Sequence, residues 1–460
     1  MMNDKFYRIT ALDLAAKFRY KDITVSEAVL NYIDTIEKNN KQNNNFITIT
    51  KDKALNRAKE IQSCIDNKEP LTLLSGVCVG LSDNIVTKDI TTSCASKMLE
   101  NYKPVFNATI VEKLESADLI IIGKTNMDEF ALGKTSDSET SSATAAPAAI
   151  ANGEVPLALG TDIGGNLRQA CSSNGITCIK PTYGSVSRYG VIASASSLEQ
   201  VSVMGKSIED CAVLLSIISG PDNKDSTCII KKPFEFNKSN IDLSGLKIGL
   251  PKNYFAITDD DVKESVLAAA KVFVTAGASL EEFEMPLMEY AVPVHRIISS
   301  AELSSNLSKF DGLKFGYRSE EAKTLSQTYK LSRSQGFGYN VKKTIMLGSY
   351  VLSSGNYDIW YKKALRARTL IKDAYNKLFE KFDIILSPVK PSVTKNFNAD
   401  IFTAAVNLAG LPAFVLPCCS NKQDSPIGFQ MIGKAFTEDK LLYTARVYQF
   451  HTDYHKGRRS

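Results

Sequence analysis

The sequence is poor in the residues that build metal sites and histidine-based active sites. Only three of its 460 residues are histidines (His295, His451 and His455), and none has a sequence neighbour that suggests a metal site or a catalytic triad. The nine cysteines are odd in number and show no C-x-x-C spacing, which favours reduced thiols over disulfides or zinc. We therefore predict no metal and no cofactor.

The sequence also lacks long apolar runs and a strong charge of one sign. No segment reaches the roughly 18 consecutive apolar residues of a membrane span, and the N-terminus has no signal-peptide pattern. The formal net charge of +5 is small for this length. The basic cluster of Lys362, Lys363, Arg366 and Arg368 is typical of a solvated helix face. We expect a cytoplasmic protein that binds neither membrane nor nucleic acid directly.

The distribution of apolar residues predicts an α/β fold in a single domain over residues 1–460. Residues 1–65 show helical spacing and are predicted to form a helical N-terminal part. Short apolar runs then alternate with helical stretches, which predicts an α/β core over 66–284 and 383–450. Residues 285–382 are mainly helical in pattern, so we expect a helical lobe packed over the sheet.

Local motifs place individual elements within this scheme. Thr10 with Asp13, and Thr24 with Glu27, have the spacing of helix capping boxes. Short apolar runs followed by glycine, proline or polar residues predict buried strands. These runs cover residues 77–81, 118–123, 157–159, 247–250 and 383–386.

One glycine-rich turn, Gly160-Thr161-Asp162-Ile163-Gly164-Gly165-Asn166, follows a predicted strand. Its spacing is neither the G-x-G-x-x-G of a dinucleotide loop nor a phosphate loop, which would need a following Lys-Ser/Thr. Two interpretations remain open on the turn alone. Glycines permit a tight turn without chemistry, or they let the amides of Ile163, Gly164 and Gly165 approach a substrate carbonyl as an oxyanion hole.

The motifs around this turn resemble the amidase-signature family and, more narrowly, the A subunits of glutamyl-tRNA(Gln) amidotransferases. This resemblance implies a mixed sheet flanked by helices with a helical N-terminus and a helical lobe, amide hydrolysis on glutamine, and B- and C-type partner subunits. It spans nearly the whole chain. The motifs that carry it are GEVPLALGTDIGG at 153–165, IKPTYG at 179–184, SRYGV at 187–191, SLEQ at 197–200, TSCASKMLENY at 92–102, GKTNMDEF at 123–130, IMLG at 345–348, LSSG at 352–355 and VNLAGLP at 406–412.

The resemblance also implies a Ser–cis-Ser–Lys catalytic arrangement, in which a neutral lysine takes the nucleophile's proton through a bridging serine. Counting along the motifs, the bridging serine falls on Ser142, which is retained, within an altered segment at 140–146. The lysine position falls on Ser82 and the nucleophile position on Asn166. Neither side chain can take over the missing role, because a hydroxyl is a poor base near neutral pH and an amide is not a nucleophile.

The substrate-binding positions that the resemblance implies are changed as well. An arginine that grips the glutamine carboxylate falls on Thr344, which cannot form a bidentate charged pair, although the neighbouring Lys343 could supply a point charge. The glutamine-contacting aspartate falls on Asp400 and is retained; a helix N-cap is the alternative role for Asp400. The loop before it, 391–400, looks shorter than in the family.

Three functions follow as hypotheses. We favour a catalytically inactive A-subunit homologue that acts as a scaffold or regulatory subunit, with B- and C-type subunits as candidate partners. The first alternative is a sensor of an amide or amino-acid ligand. The second is an amidase or glutaminase with atypical chemistry, for which Cys78, Thr161, Cys171, Ser172 and Ser173 are nearby nucleophile candidates without a recognisable base.

Overall fold

A single mixed sheet of eleven strands organises the computed structural model, which describes residues 6, 9–132, 145–229, 232–236, 242–393, 399–420 and 425–456. The strands are numbered in chain order and lie in the order β1-β3-β2-β4-β6-β5-β10-β11-β9-β7-β8. They are β1 Phe46–Ile49, β2 Cys78–Ser82, β3 Ile120–Thr125, β4 Leu157–Asp162, β5 Thr177–Lys180, β6 Gln200–Gly205, β7 Lys247–Pro251, β8 Ser279–Phe283, β9 Ile384–Pro388, β10 Ala413–Ser420 and β11 Pro426–Gly433.

Helices cover this sheet and build the segment between β8 and β9. The α-helices are α1 Ala11–Arg19, α2 Val25–Asn43, α3 Lys51–Asp66, α4 Thr109–Ser116, α5 Ala145–Ala151, α6 Asn166–Asn174, α7 Ile208–Ile218, α8 Lys252–Ala256, α9 Asp260–Thr275, α10 Met288–Asn306, α11 Leu325–Gly336, α12 Tyr339–Leu352, α13 Lys363–Lys381, α14 Ala404–Ala409 and α15 Glu438–His451. A π-helix, Tyr357–Lys362, leads into α13. Short 3-10 turns lie at Lys97–Leu99, Glu129–Ala131, Leu307–Lys309, Ala399–Phe402 and Tyr454–Lys456.

Parallel pairing in one part of the sheet positions the predicted site. β2 runs parallel to both β3 and β4, with Ser82 opposite Thr125 and Leu81 opposite Leu159. Because parallel strands end at the same edge of a sheet, the residues that follow β2, β3 and β4 meet there. The strands of this region are almost wholly buried, as expected for a sheet covered on both faces.

The predicted α/β fold and its five strands are confirmed, with bounds that differ by one to three residues. Thr24 and Glu27 form a complete capping box, and Thr10 accepts a hydrogen bond from the Asp13 amide. The prediction that residues 1–65 are helical was wrong at β1. That strand pairs antiparallel with β3, and a four-residue edge strand is too short to show alternation in the sequence.

Candidate active site

A small cavity lies at the edge where β2, β3 and β4 end, and it brings Ser82 and Asn166 together. The cavity measures about 40 Å³. Ser82 is the last residue of β2, and Asn166 is the first residue of α6, immediately beyond the glycine turn that follows β4. Its described lining residues are Ser82, Asn126, Met127, Asp128, Ala131, Ala146, Gly160, Thr161, Asn166 and Leu167.

Ser82 is buried, and its hydroxyl faces a sulfur atom. The Oγ donates to the Met127 Sδ at 3.5 Å, which is a weak hydrogen bond. No lysine or histidine occurs among the described residues that line the cavity. Ser142, the predicted bridging serine, lies in 133–144, outside the described residues, so its position relative to Ser82 stays a prediction.

The glycine turn is held by side chains from distant parts of the chain. His295 Nε2 lies 3.1 Å from the Ile163 carbonyl oxygen, and Thr403 Oγ1 donates to the Gly164 carbonyl at 2.7 Å. A carbonyl oxygen only accepts, so the His295 Nε2 carries the proton. In a trans peptide the N–H points opposite to the C=O. The amides of Gly164 and Gly165 therefore point away from His295 and Thr403.

Both glycines of the turn are required by close contacts. A side-chain carbon on Gly164 would stand 2.7 Å from the ring of His295. Gly165 has a φ of +109°, and a carbon added there would stand 2.1 Å from the Cβ and Oγ1 of Thr403. Burial lowers the pKa of His295, which favours the neutral ring. Ile163, Gly164 and Gly165 are not among the described lining residues of the cavity, so the use of their amides as an oxyanion hole stays a prediction.

Behind the turn, a buried polar network joins the turn to the sheet and to α14. Arg168 Nε pairs with Asp162 Oδ2 at 3.1 Å, and both side chains are fully buried. Arg168 Nη1 donates to Gln430 Oε1 at 2.9 Å, and Asn407 Nδ2 donates to Asp162 Oδ1 at 2.9 Å. This network therefore holds the turn in place, and none of its residues is among the described lining residues of the cavity.

Two buried lysines nearby are engaged elsewhere. Lys124 Nζ donates to the Ile85 carbonyl and to Thr92 Oγ1, and burial lowers its pKa to about 8. In the pairing of β2 with β3, Lys124 lies opposite Leu81, and Thr125 lies opposite Ser82. Because successive side chains of a strand point to opposite faces, Lys124 lies on the face away from Ser82.

Lys180 is the second of these lysines. Its Nζ donates to the carbonyl oxygens of Pro181 and Leu411, and burial lowers its pKa to about 7. It is not among the described lining residues of the cavity. Asp83, the neighbour of Ser82, accepts hydrogen bonds from the amide and hydroxyl of Ser93.

One feature of the cavity wall has no signal in the sequence. The side-chain amide Nδ2 of Asn84 donates to the Thr161 hydroxyl at 2.9 Å and also lies 3.4 Å from Glu199 Oε1, so it links the two residues. Glu199 is fully buried, and burial raises its pKa to about 7. Thr161 is recognisable as a hydroxyl near the turn, but no sequence pattern places Glu199 beside it.

The two predicted substrate-binding residues lie away from the described lining of the cavity. Thr344 is in the middle of α12, and its hydroxyl donates to the Asn340 carbonyl of its own helix at 2.9 Å. Asp400 lies inside the 3-10 turn Ala399–Phe402, where it accepts from Gln169 Nε2 at 3.1 Å, so it is not a helix N-cap. A role of Thr344 or Asp400 in ligand binding stays a prediction.

The candidate thiol nucleophiles are poorly suited to that role. Cys171 and Cys78 are buried, and burial raises the pKa of both thiols. A raised pKa lowers the fraction of nucleophilic thiolate at neutral pH. Within the described residues, no group of three or more His, Cys, Asp or Glu side chains could hold a metal ion. No helix of the described ranges is both long and apolar enough to cross a membrane.

Comparison with known proteins assigns the family. A family model described as Amidase matches residues 27–442, so this chain belongs to the amidase family. The resemblance inferred from the sequence motifs is confirmed at this level.

More narrowly, the chain is homologous to the A subunits of glutamyl-tRNA(Gln) amidotransferases. It is 44% identical over 465 residues to the A subunit from Agathobacter rectalis, with 95% of this chain and 92% of the relative covered. It is 41% identical to the A subunit from Bacillus velezensis, with 97% and 98% covered. The crystal structure of the A subunit from Thermotoga maritima superposes with a TM-score of 0.75 at 31% identity and covers 96% and 94% of the two chains.

Proposed function

We propose that this chain is a catalytically silent relative of the amidotransferase A subunits that acts as a scaffold or regulatory subunit. B- and C-type amidotransferase subunits are the first partners to test. The observation that carries the proposal is the composition of the cavity between Ser82 and Asn166. The resemblance to the family implies a lysine base at position 82 and a serine nucleophile at position 166. The Ser82 hydroxyl cannot take up the proton as that lysine would, and the Asn166 amide cannot attack as that serine would.

The surroundings of the cavity support the same proposal. Among its described lining residues no lysine or histidine could replace the base, and the buried Lys124 and Lys180 are committed to backbone carbonyls. The volume of about 40 Å³ is far below that of typical ligand pockets, about 300 Å³ or more.

One observation supports a second candidate function, amide hydrolysis by atypical chemistry. Thr161 lines the cavity, and Asn84 Nδ2 links its hydroxyl to Glu199, a carboxyl group whose pKa burial raises to about 7. A hydroxyl next to a group that titrates near neutral pH has the elements of a nucleophile and its base. We rank this candidate second because the same carboxyl group is also occupied by Asn84 and by the amide of Ser194.

The partner part of the proposal is tested by isolating the tagged chain gently from its own host and identifying what co-purifies. Recovery of B- and C-type subunits in stoichiometric amounts is the expected result. A chain that is recovered alone, or only with unrelated proteins, would contradict a role within an amidotransferase complex.

A further inference from the structure

The helix α12 is packed on one face and apolar on the opposite face. Gly348 faces α10 so closely that an added side-chain carbon would stand 2.0 Å from the Ser300 carbonyl oxygen. Ser349 Oγ and Ser304 Oγ are 3.1 Å apart across the same contact. This contact fixes the rotation of α12 about its axis, and it places the buried Val341 and Val351 on the inner side.

The outer side of α12 carries large apolar side chains that nothing in the described structure covers. At about 100° per residue, Met346 and Tyr350 lie about 200° away from Gly348, and Tyr339 lies two turns before Met346 on the same face. Their exposed fractions are 73%, 55% and 68%. Large apolar side chains clustered on an exposed helix face mark an interaction surface.

The π-helix that follows α12 also exposes apolar side chains. A four-residue connection, 353–356, joins α12 to Tyr357–Lys362, which contacts both α12 and α10. The π-helix exposes Ile359 by 57% and Trp360 by 42%. We define the lobe patch as Tyr339, Met346, Leu347, Tyr350, Ile359 and Trp360.

The lobe patch lies in a stretch of the chain with an excess of positive charge. Residues 339–370 hold six basic residues and one acidic residue, whereas the whole chain has a net charge of only +5. The acidic residue, Asp358, pairs with Lys362 at 2.7 Å. Lys343, Lys363 and Arg366 form no ion pair within the described residues. Lys343 lies four residues after Tyr339 and three before Met346, so it shares their face of α12.

We infer that the lobe patch docks an acidic amphipathic helix of a partner protein. Exposed aromatic and aliphatic side chains supply the apolar contact, and Lys343, Lys363 and Arg366 select an acidic rim by charge complementarity. A second copy of this chain is disfavoured because it would bring the same three positive charges to the interface. Tyr339, Tyr350 and Trp360 could stack on bases, but the aliphatic half of the patch, Met346, Leu347 and Ile359, offers nucleic acid neither stacking nor phosphate contacts, so we favour a protein partner and include tRNA in the test. The inference rests on the proposed function, since it identifies the surface through which the scaffold would act.

Trp360 makes the test direct, because it is the only tryptophan of the chain and it lies in the patch. The probe is a synthetic amphipathic helical peptide with leucines on one face and glutamates on the other. Its binding is expected to shift the Trp360 emission to shorter wavelength and to protect it from iodide quenching. Two variants should each weaken peptide binding about ten-fold, a typical loss for an interface anchor. They are the single variant Met346→Glu and the double variant Lys343→Glu, Arg366→Glu.

A matched control variant is Leu30→Glu, at a leucine that is 43% exposed in the first half of α2, and it should leave peptide binding unchanged. The inference is overturned if the peptide does not bind, or if a peptide with lysines in place of glutamates binds equally well. It is also overturned if purified tRNA shields Trp360 better than the acidic peptide, or if Trp360 becomes shielded on concentrating the chain alone. Ammonia release from glutamine is assayed separately and decides the catalytic proposal. The docking inference and the catalytic proposal can therefore fail independently of each other.

Discussion

Replacing Arg168 by methionine should destabilise the fold more than any change at the cavity. The substitution removes the positive member of a fully buried ion pair and leaves Asp162 charged without its 3.1 Å partner. Gln430 and the Thr403 carbonyl also lose hydrogen bonds. Removing one member of a buried pair costs about 3–5 kcal/mol, a large part of the about 5–15 kcal/mol that stabilises a typical protein.

The loss should depend on pH with a definite sign. Burial raises the pKa of Asp162, but the Arg168 charge and hydrogen bonds outweigh burial, so the folded-state pKa is lowered. This contribution to stability is present above the unfolded-state pKa of about 3.9 and is lost as the pH falls through the folded-state value. Without Arg168, burial dominates and the Asp162 pKa rises. The deficit of Arg168→Met relative to wild type should therefore be larger at pH 8 than at pH 5.

Urea unfolding followed by circular dichroism at both pH values measures this deficit. The double variant Asp162→Asn, Arg168→Met should be more stable than Arg168→Met alone at pH 8, because no unpaired charge remains. Asn166→Ser, in the same turn but on the cavity side, should change stability by less than about 1 kcal/mol. Equal unfolding midpoints for Arg168→Met and wild type at both pH values would refute the reasoning.

Three further outcomes are expected. Ser82→Lys with Asn166→Ser should restore little ammonia release, because Thr344 and the segment 140–146 also depart from the family's pattern; high activity would show that the remaining pocket is intact. Gly165→Ala should lower the free energy of unfolding, measured by thermal unfolding, by about 3 kcal/mol or more. The control Gly245→Ala should lower it less, because both glycines have a positive φ but only at Gly165 would the added carbon collide with a neighbour, Thr403. In the native state a thiol reagent should react fast only with the three partly exposed cysteines, Cys64, Cys228 and Cys419; fast reaction of Cys171 would contradict its burial.

Features that depend on residues close together in the chain could be predicted from the sequence. The capping box of Thr24 and Glu27 needs only residues three positions apart, and both hydrogen bonds are present. The strands that end at Ser82 and Asp162 were recognisable as short buried apolar runs followed by polar or glycine residues. Because these strands are parallel, their adjacent ends also explain why Ser82 and Asn166 line one cavity.

Contacts between distant residues could not be predicted from the sequence. His295 and Thr403 hold the carbonyls of the glycine turn from remote positions in the chain, and no local pattern marks either of them. Glu199 sits beside Thr161 only because β6 pairs antiparallel with β4, and β6 was not predicted. The strand β1 was missed for a related reason, since pairing with β3 rather than local propensity makes it a strand.

The most direct test of the central claim is ammonia release from glutamine by the purified chain, alone and together with its host's B- and C-type subunits. The homologous A subunit from Agathobacter rectalis with its own partners serves as the positive control. Our account predicts release no higher than the background without enzyme in both samples. Robust release that is abolished by Ser142→Ala, or by Thr161→Val, would contradict it and identify the residues that carry the reaction.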